Sequence, residues 1–473
     1  MDWLTVSPED WAQQNFGAAE LGDKRRNRTL VNLAARMAAQ PDGSLPRISE
    51  LWSDAKAAYG LFKADGVTFP AVCTPHWNLR HRCPPGTYLI PSDTTEIDFG
   101  KNRKIAGVGP LGNGSGQGFL LHSALLVDPN SGELLCQAGG LLVVRLPKSK
   151  SPKRRNSGKK LESARWGELV EQVGSPPEGV RWIHVMDREA DNFDVFDRCL
   201  KQRCDFVVRV RNIKRRVLAD PRDEKTQSFQ EILAGKPVIH RFEREIAPKA
   251  KTSDAPARSA RTAAMEMRVG TVWIPVPSNG RAYRERRGKE PIRVQFVSVR
   301  EAAPPPGEKA VEWNLYTTLP AGSADDAFAV LGHYEKRWTI EEYHKAIKTG
   351  TQIETRRLTT GERLAPLIGL SGIEAVRLVQ LKFAARVTPE RPAEELVPPV
   401  YIAALKAARR RPVRSPLTVE KPMTVRDFFR GVAMLGGFLA RRGDGEPGWQ
   451  TTWRGWEKLR LIVRGLEAAK DSS

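Results

Sequence analysis

Three acidic residues stand where a carboxylate could do chemistry: Asp93, Asp187 and Glu341. Asp93 follows the short apolar run 87–91 in Ser92-Asp93-Thr94-Thr95, and Asp187 closes the run 181–186. Each run reads as a strand, and a carboxylate at a strand end can leave the sheet and face solvent and a cation. Singly, either aspartate is as readily a turn-former or a helix cap. Glu341 lies in the helical pattern 324–348. At roughly 100° per residue, Tyr334, Arg337, Glu341 and Lys348 fall at roughly 0°, −60°, −20° and −40°. One narrow stripe thus sets a carboxylate among a phenol, a guanidinium and an ammonium, the groups that bind phosphate. Ile340, Tyr343 and Ile347 supply the buried side. The bland reading is a surface ion-pair network of Glu341 with Arg337 and Lys345, worth tenths of a kcal/mol.

The other metal-binding residue types point away from zinc. The five cysteines (Cys73, Cys83, Cys136, Cys199, Cys204) form no CxxC pair, and the seven histidines show no HExxH or HxH spacing. The cysteines are expected reduced and packed, and a catalytic metal would sit among oxygen ligands, as magnesium or manganese does. The formal charge of +21 over 473 residues favours a polyanionic partner, with nucleic acid the commonest. No stretch reaches the roughly 18 apolar residues of a spanning helix, and the acidic start MDWLTVSPEDW lacks a signal-peptide layout. No membrane partner and a cytoplasmic, nucleoid-facing location are expected.

Several elements must position these groups. Asp23 caps a helix whose Leu30, Leu33, Ala34 and Met37 make a buried stripe and whose Arg25, Arg28 and Asn32 lie opposite. With Arg26 these arginines read either as a solvated face or as a DNA contact. A second helix is expected at 48–63, with Leu51, Ala55, Ala58 and Phe62 on one face. Two strands within 119–144 flank the turn Pro129-Asn130-Ser131-Gly132. The glycine-rich 107–118 has no Walker lysine and reads as a loop. Basic 148–160 reads as a loop that is solvated or orders on phosphates. A helix at 161–173 and strands at 181–187 and 205–211 follow. Alternating stretches in 214–311 suggest an inserted antiparallel sheet, and after a strand around Trp313 the remainder is helical, with linkers at 389–399 and 411–416.

The motifs together resemble the insertion-sequence-four (IS-four) family of cut-and-paste DDE transposases. Asp187-Arg188-Glu189-Ala190-Asp191 reads DREAD, the family's second motif, and Asp93-Thr94-Thr95 is similar to its first. Tyr334, Arg337, Glu341 and Lys348 match its Y-x2-R-x3-E-x6-K signature. The likeness extends to Leu21-Gly22-Asp23, Glu162-Ser163 before Trp166, Phe206-Val207-Val208-Arg209, Trp313 and Leu435-Gly436-Gly437-Phe438. It thins across the inserted sheet and between 389 and 423.

The resemblance implies an α/β chain with a ribonuclease-H-like core and an inserted antiparallel β-sheet, flanked by N-terminal and C-terminal helical domains. The expected domains are 1–70 for binding end DNA, 71–370 for catalysis with 213–311 inserted, and 371–473 for dimerisation. It implies two Mg2+ ions, with Mn2+ able to substitute, between Asp93, Asp187 and Glu341. Glu189 and Asp191 are rivals within DREAD; Asp187 is favoured because it ends the strand. The implied reaction is nicking, hairpin formation, hairpin opening and strand transfer. Tyr334, Arg337 and Lys348 would hold a 5′ phosphate, Arg209 would contact DNA, and Trp313 would stack on a flipped base unless it is a core tryptophan. The implied partners are double-stranded DNA (terminal inverted repeats and target) and a second copy of the chain. A structure-selective nuclease without strand transfer and a non-catalytic DNA-binding regulator are the alternatives. Trp449, Trp453 and Trp456 would serve a two-fold interface or an internal core.

Overall fold

The computed structural model describes residues 6–40, 43–49, 51–112, 114–146, 162–250, 257–278, 283, 285, 288–395, 397, 399–408, 422–441 and 443–471. The basic segment 148–160 and the linker 411–416 lie outside them.

Helix α1 (Pro8–Phe16) packs on α2 (Lys24–Ala39). Asp23 caps α2 as expected, its carboxylate accepting the Arg25 N–H at 2.7 Å. Leu30, Leu33, Ala34 and Met37 are buried, and Arg25, Arg28 and Asn32 are exposed. The helix expected at 48–63 is instead a pair, α3 (Leu45–Ile48) and α4 (Trp52–Leu61). Ala55, Ala58 and Phe62 are buried, but Leu51 is 66% exposed. Leu51 occupies the extended N-cap position of α4, where its N–H donates to the Asp54 carboxylate at 3.2 Å, so the helical wheel does not apply to it. An unforeseen helix, α5 (Phe69–Trp77), buries Phe69, Val72, Cys73 and Trp77 and carries Pro75 inside it. A proline in a nine-residue apolar run masks helical character.

A ten-stranded mixed sheet follows. β1 (Gly86–Asp98), β2 (Gly109–Leu111), β3 (Gly116–Val127) and β4 (Leu134–Val143) form an antiparallel wing. The glycine-rich 107–118, expected as a loop, thus supplies short β2 and the turn into β3. After α6 (Ala164–Val173), β5 (Val180–Met186) pairs in parallel with β1. Beyond α7 (Phe193–Lys201), β6 (Asp205–Arg209) pairs in parallel with β5. These right-sized helices between parallel strands are the expected βαβ connections. β7 (Arg216–Val217) and β8 (Gln227–Ser228) make a small separate ribbon before α8 (Phe229–Ala234).

β9 (His240–Ile246), β10 (Arg261–Ile274), β11 (Ile292–Glu301) and β12 (Glu312–Thr317) are antiparallel, as the alternation suggested. They extend the same sheet: β12 pairs with β6, and β11, β10 and β9 follow outward. Opposite faces of the sheet carry two cores. Leu89, Ile97 and Leu121 join Ile340, Tyr343 and Leu367 on one, and Tyr88, Ile90 and Ala124 join Trp166, Leu169 and Phe196 on the other.

The helical pattern 324–348 is broken twice. A 3-10 turn at Lys336–Trp338 joins α9 (Ala324–Glu335) to α10 (Thr339–Lys345), and a π turn spans Ala346–Gly350. Contrary to expectation one helix, α11 (Gly361–Val387), is long and apolar enough to cross a membrane, but 83% of its apolar window is buried inside the protein, as in a core helix. It leads to α12 (Pro399–Ala408), α13 (Val425–Leu435) and α14 (Trp449–Asp471). At Gly436 and Gly455 a side chain would strike the carbonyls of Thr451 and Val432, so α13 and α14 meet backbone to backbone. Trp456 stacks on Tyr401 and Phe429 with ring centroids 5.6 and 6.4 Å away, so it serves an internal core. The side chains of Trp449 and Trp453 lie outside the described residues. All five cysteines are free, and four are buried.

Candidate active site

The strand register brings the two aspartates together. β1 and β5 pair from Gly86↔Val180 to Pro91↔Val185, an offset of 94 residues at both ends (180 − 86 and 185 − 91). Carried two residues further, that offset sets Asp93 beside Asp187. Neighbouring strands lie about 4.8 Å apart, and residues in register point to one face. Asp93 does not close its strand, contrary to expectation. It pairs with Ser123, and β1 continues to Asp98 because β3 still bonds to it after β5 has ended. Asp187 does follow the last residue of β5, and its Oδ1 accepts the Glu189 N–H at 2.8 Å, capping a 3-10 turn at Arg188–Ala190. Cap and cleft carboxylate are one residue.

Glu341 arrives from the helical layer. Ile340 and Tyr343 are fully buried beneath α10, which packs on β1 and β3 and turns Glu341 toward Asp93. Arg337 joins the two: Nη1 donates to Asp93 Oδ2 at 2.8 Å and Nη2 to Glu341 Oε1 at 2.9 Å. Burial, then the charges of Asp187 and Glu341, push the Asp93 carboxyl up to about 6, against the Thr94 N–H and Arg337. Burial also raises Asp187, against the Glu189 N–H bond, with the Glu189 charge adding to the rise and the Arg337 and Arg165 charges opposing it. Mutual repulsion of buried carboxylates is the electrostatic condition that an added cation relieves. The donors are all hard oxygens, which fits a divalent ion of the magnesium type. Among the described residues no three acidic, histidine or cysteine side chains stand at ligand spacing around one point. Arg337 supplies the positive charge between Asp93 and Glu341.

Neighbouring acids are already neutralised. Glu189 pairs with Arg165 at 2.6 Å. Asp191 pairs with Arg215 and accepts the Arg211 N–H at 2.8 Å. Glu342 pairs with Lys382 at 2.5 Å and Lys345 at 3.5 Å, so of the two ion pairs in the bland reading of Glu341 the one with Arg337 forms and Lys345 turns to Glu342 instead.

Three family models match the chain in succession: Transposase DNA-binding over residues 8–67, Transposase DDE domain over 154–370, and Transposase Tn5 dimerisation domain over 373–473. That order is the one found in a Tn5/IS4-type transposase. The chain belongs to this family of DDE transposases. Its catalytic domain has the ribonuclease-H-like fold, an α/β core with helices at both ends, and the enzyme acts on DNA. The family uses divalent metal. The DDE match covers Asp187 and Glu341 and begins after Asp93, which joins them through the β1–β5 register.

Around this transposase site the basic and aromatic residues fall unevenly. Arg209 Nη2 donates to the Glu312 carbonyl at 3.2 Å, and burial lowers its pKa while Tyr334, bonded to it, raises it. Lys348 lies half-buried in the π turn beside buried His344, whose pKa falls to about 3 through burial and then the Lys348 and Arg337 charges. Trp313 is half-buried against the core, and the Arg244 guanidinium lies 5.1 Å over its ring. Arg25 and Arg28 face solvent. Arg26 is largely committed to the fold, donating to the carbonyls of Leu21 and Asp65 at 3.1 and 2.9 Å. Trp338, not among the expected site residues, is 63% exposed with Arg337 5.6 Å over its ring. Its wheel angle, roughly 40° from Tyr334, placed it beside the polar stripe and was the available signal.

Proposed function

We propose that this transposase excises a mobile element by nicking its ends, forming and reopening a hairpin, and joining the freed ends to target DNA. The observation that carries the assignment is the β1–β5 register, which ends two residues before Asp93 and Asp187, together with the bridge from Asp93 through Arg337 to Glu341. These three carboxylates would hold two Mg2+ ions, with Mn2+ able to replace them. The ions supply charge stabilisation at the attacking and departing oxygens of an in-line displacement at phosphorus.

The chain's own groups orient the reactants. Arg337, Tyr334 and Lys348 bind the phosphate flanking the cut, and Arg209 steadies Tyr334 and the DNA strand beside it. On phosphate binding, Arg337 trades its two carboxylate bonds for phosphate oxygens. Trp313 offers its ring to a base extruded as the hairpin bends, recovering part of the few kcal/mol that unstacking costs. Arg25 and Arg28 contact the terminal repeat, and Arg26 holds their helix in place. Residues 1–70 bind end DNA, 71–370 carry catalysis and 371–473 pair two copies, in a bacterial cytoplasm at the nucleoid.

The deciding experiment supplies the protein with double-stranded transposon ends and a target plasmid in Mg2+. Wild type yields nicked, hairpin and joined products, and Glu341→Ala binds ends but yields none. Cleavage by Glu341→Ala would remove the assignment of Glu341. Cleavage by wild type with no joined product would turn the reading toward a structure-selective nuclease. Because the partner is polyanionic, end binding also weakens steeply with salt through counterion release; a flat titration would contradict a phosphate-dominated interface.

A further inference from the structure

The ladder that aligns Asp93 with Asp187 stops short of both. Its last pair is Pro91↔Val185, two residues before each carboxylate. Beyond it, among the described residues, no further β1–β5 pair sets the spacing of the two segments. Something else must hold them, because a cation clamped by both tolerates only a few tenths of an ångström of error.

Arg165 is placed to do this from behind. Side chains alternate along a strand, so Thr94 points to the face opposite Asp93. On that face α6 brings in Arg165, a charged residue only 8% exposed. Its Nε donates to Thr94 Oγ1 at 3.0 Å and its Nη2 to Glu189 Oε2 at 2.6 Å. One rigid guanidinium therefore grips the residue after Asp93 and the second residue after Asp187. Thr94 is fixed in turn by His122, fully buried on β3, whose Nδ1 lies 2.8 Å from the hydroxyl. Arg165 can only donate, so Thr94 Oγ1 accepts from it, and the sense of the Thr94–His122 bond follows the imidazole tautomer. Glu162 lies 3.7 Å from Arg165 Nη1 and bonds to Arg145 at 2.8 Å, which ties the cluster to α6 and the end of β4.

We propose that Arg165 is a positioning residue of the active site, its guanidinium bridging Thr94 and Glu189 behind the sheet so that Asp93 and Asp187 stand at the spacing a shared divalent cation requires. This rests on the reading of those two aspartates as cation ligands. Arg165 touches neither cation nor DNA. A lysine cannot replace it, because one ammonium on a flexible stem does not span both acceptors with fixed geometry.

The test is Mn2+ binding to the full-length, DNA-free protein, read from the electron paramagnetic resonance signal of free Mn2+, beside thermal unfolding and end-DNA binding. Loss of a group that orients a metal ligand typically costs about 10–100-fold in metal affinity. Arg165→Lys and Thr94→Val are expected to weaken Mn2+ binding by that factor while end binding and cooperative unfolding persist. Thr94→Ser, which keeps the hydroxyl, restores wild-type affinity. In cleavage assays the Mn2+ concentration for half-maximal rate rises by the same factor, and the rate at saturating Mn2+ returns toward wild type. Unchanged Mn2+ affinity in both Arg165→Lys and Thr94→Val overturns the proposal. Should Arg165→Lys fail to fold, the contrast of Thr94→Val with Thr94→Ser decides alone. Asp187→Ala separates the two claims: if it binds Mn2+ like wild type, the ligand assignment itself falls.

Discussion

Two places in this molecule set one arginine between two carboxylates, with opposite electrostatic outcomes. At the outer part of the sheet Arg261 donates to both oxygens of Glu301 at 2.7 and 2.8 Å and to Glu308 at 2.6 Å. Glu301 also accepts the Val311 N–H at 3.0 Å. Its carboxyl is held below the usual range by the Arg261 bonds, against the effect of burial. In the cleft Arg337 makes single bonds to Asp93 and Glu341, and a third carboxylate, Asp187, has no ion-pair partner among the described residues. There burial and repulsion win, and Asp93 rises to about 6. A structural acid is given its cation by the fold. An acid left in surplus meets the electrostatic condition that an added cation would relieve.

The sharpest way to break this contrast is to compare adjacent glutamates. Glu341→Gln is expected to lower cleavage at least roughly a thousandfold, about 4 kcal/mol of barrier. Glu342→Gln, whose wild-type carboxylate already faces Lys382, should retain most activity and lose only stability. Equal losses in single-turnover cleavage would erase the distinction between surplus and satisfied acids.

The next effect is on stability against pH, in EDTA. Asp93 has a folded pKa above its ordinary 3.8, so its contribution favours the fold fully below that value and is lost as pH rises through about 6. Over that interval the metal-free protein should lose on the order of 2 kcal/mol. Asp93→Asn should remove this slope in urea titrations at pH 4 to 7 while abolishing cleavage. A slope unchanged by the substitution would show that Asp93 is not the strained group.

Glu301 has the opposite sign. Its folded pKa lies below the ordinary 4.5, so its contribution is present above 4.5 and disappears as pH falls through the depressed value. Glu301→Gln should destabilise the protein at neutral pH, flatten the acid limb below 4.5 and leave Mn2+ binding unchanged. Reduced Mn2+ affinity would mean that the two regions are coupled.

The smallest expected effect concerns Trp313, half-buried beneath Arg244. Trp313→Ala should slow hairpin formation about tenfold, close to the 1–3 kcal/mol of a base–aromatic stack, and spare first-strand nicking. Equal slowing of both steps would assign Trp313 to the core against which it packs.

Much of this was legible in the residues themselves. Periodicity placed α2 and its Asp23 cap, and the apolar side of α10 with Ile340, Tyr343 and Ile347, because a 3.6-residue repeat reports which side is buried. The DREAD and Tyr334-to-Lys348 spacings carried the family. Leu51 and α5 were misread or missed because an extended cap residue leaves the helical wheel and an internal proline disguises a helix. Local sequence singled out Glu341 by its stripe and signature position, and Asp187 by its place at the strand end. That Glu342 already faces a cation depends on Lys382, forty positions away, and the pairing of Glu189 and Asp191 depends on Arg165 and Arg215. The joining of 240–317 to the main sheet likewise depends on strand pairing between distant segments. Residue type and spacing determined which groups could bind cation or phosphate, since those properties are local. Only the tertiary structure decided which carboxylates were left in excess, since each charge balance is struck between residues that sequence separation hides.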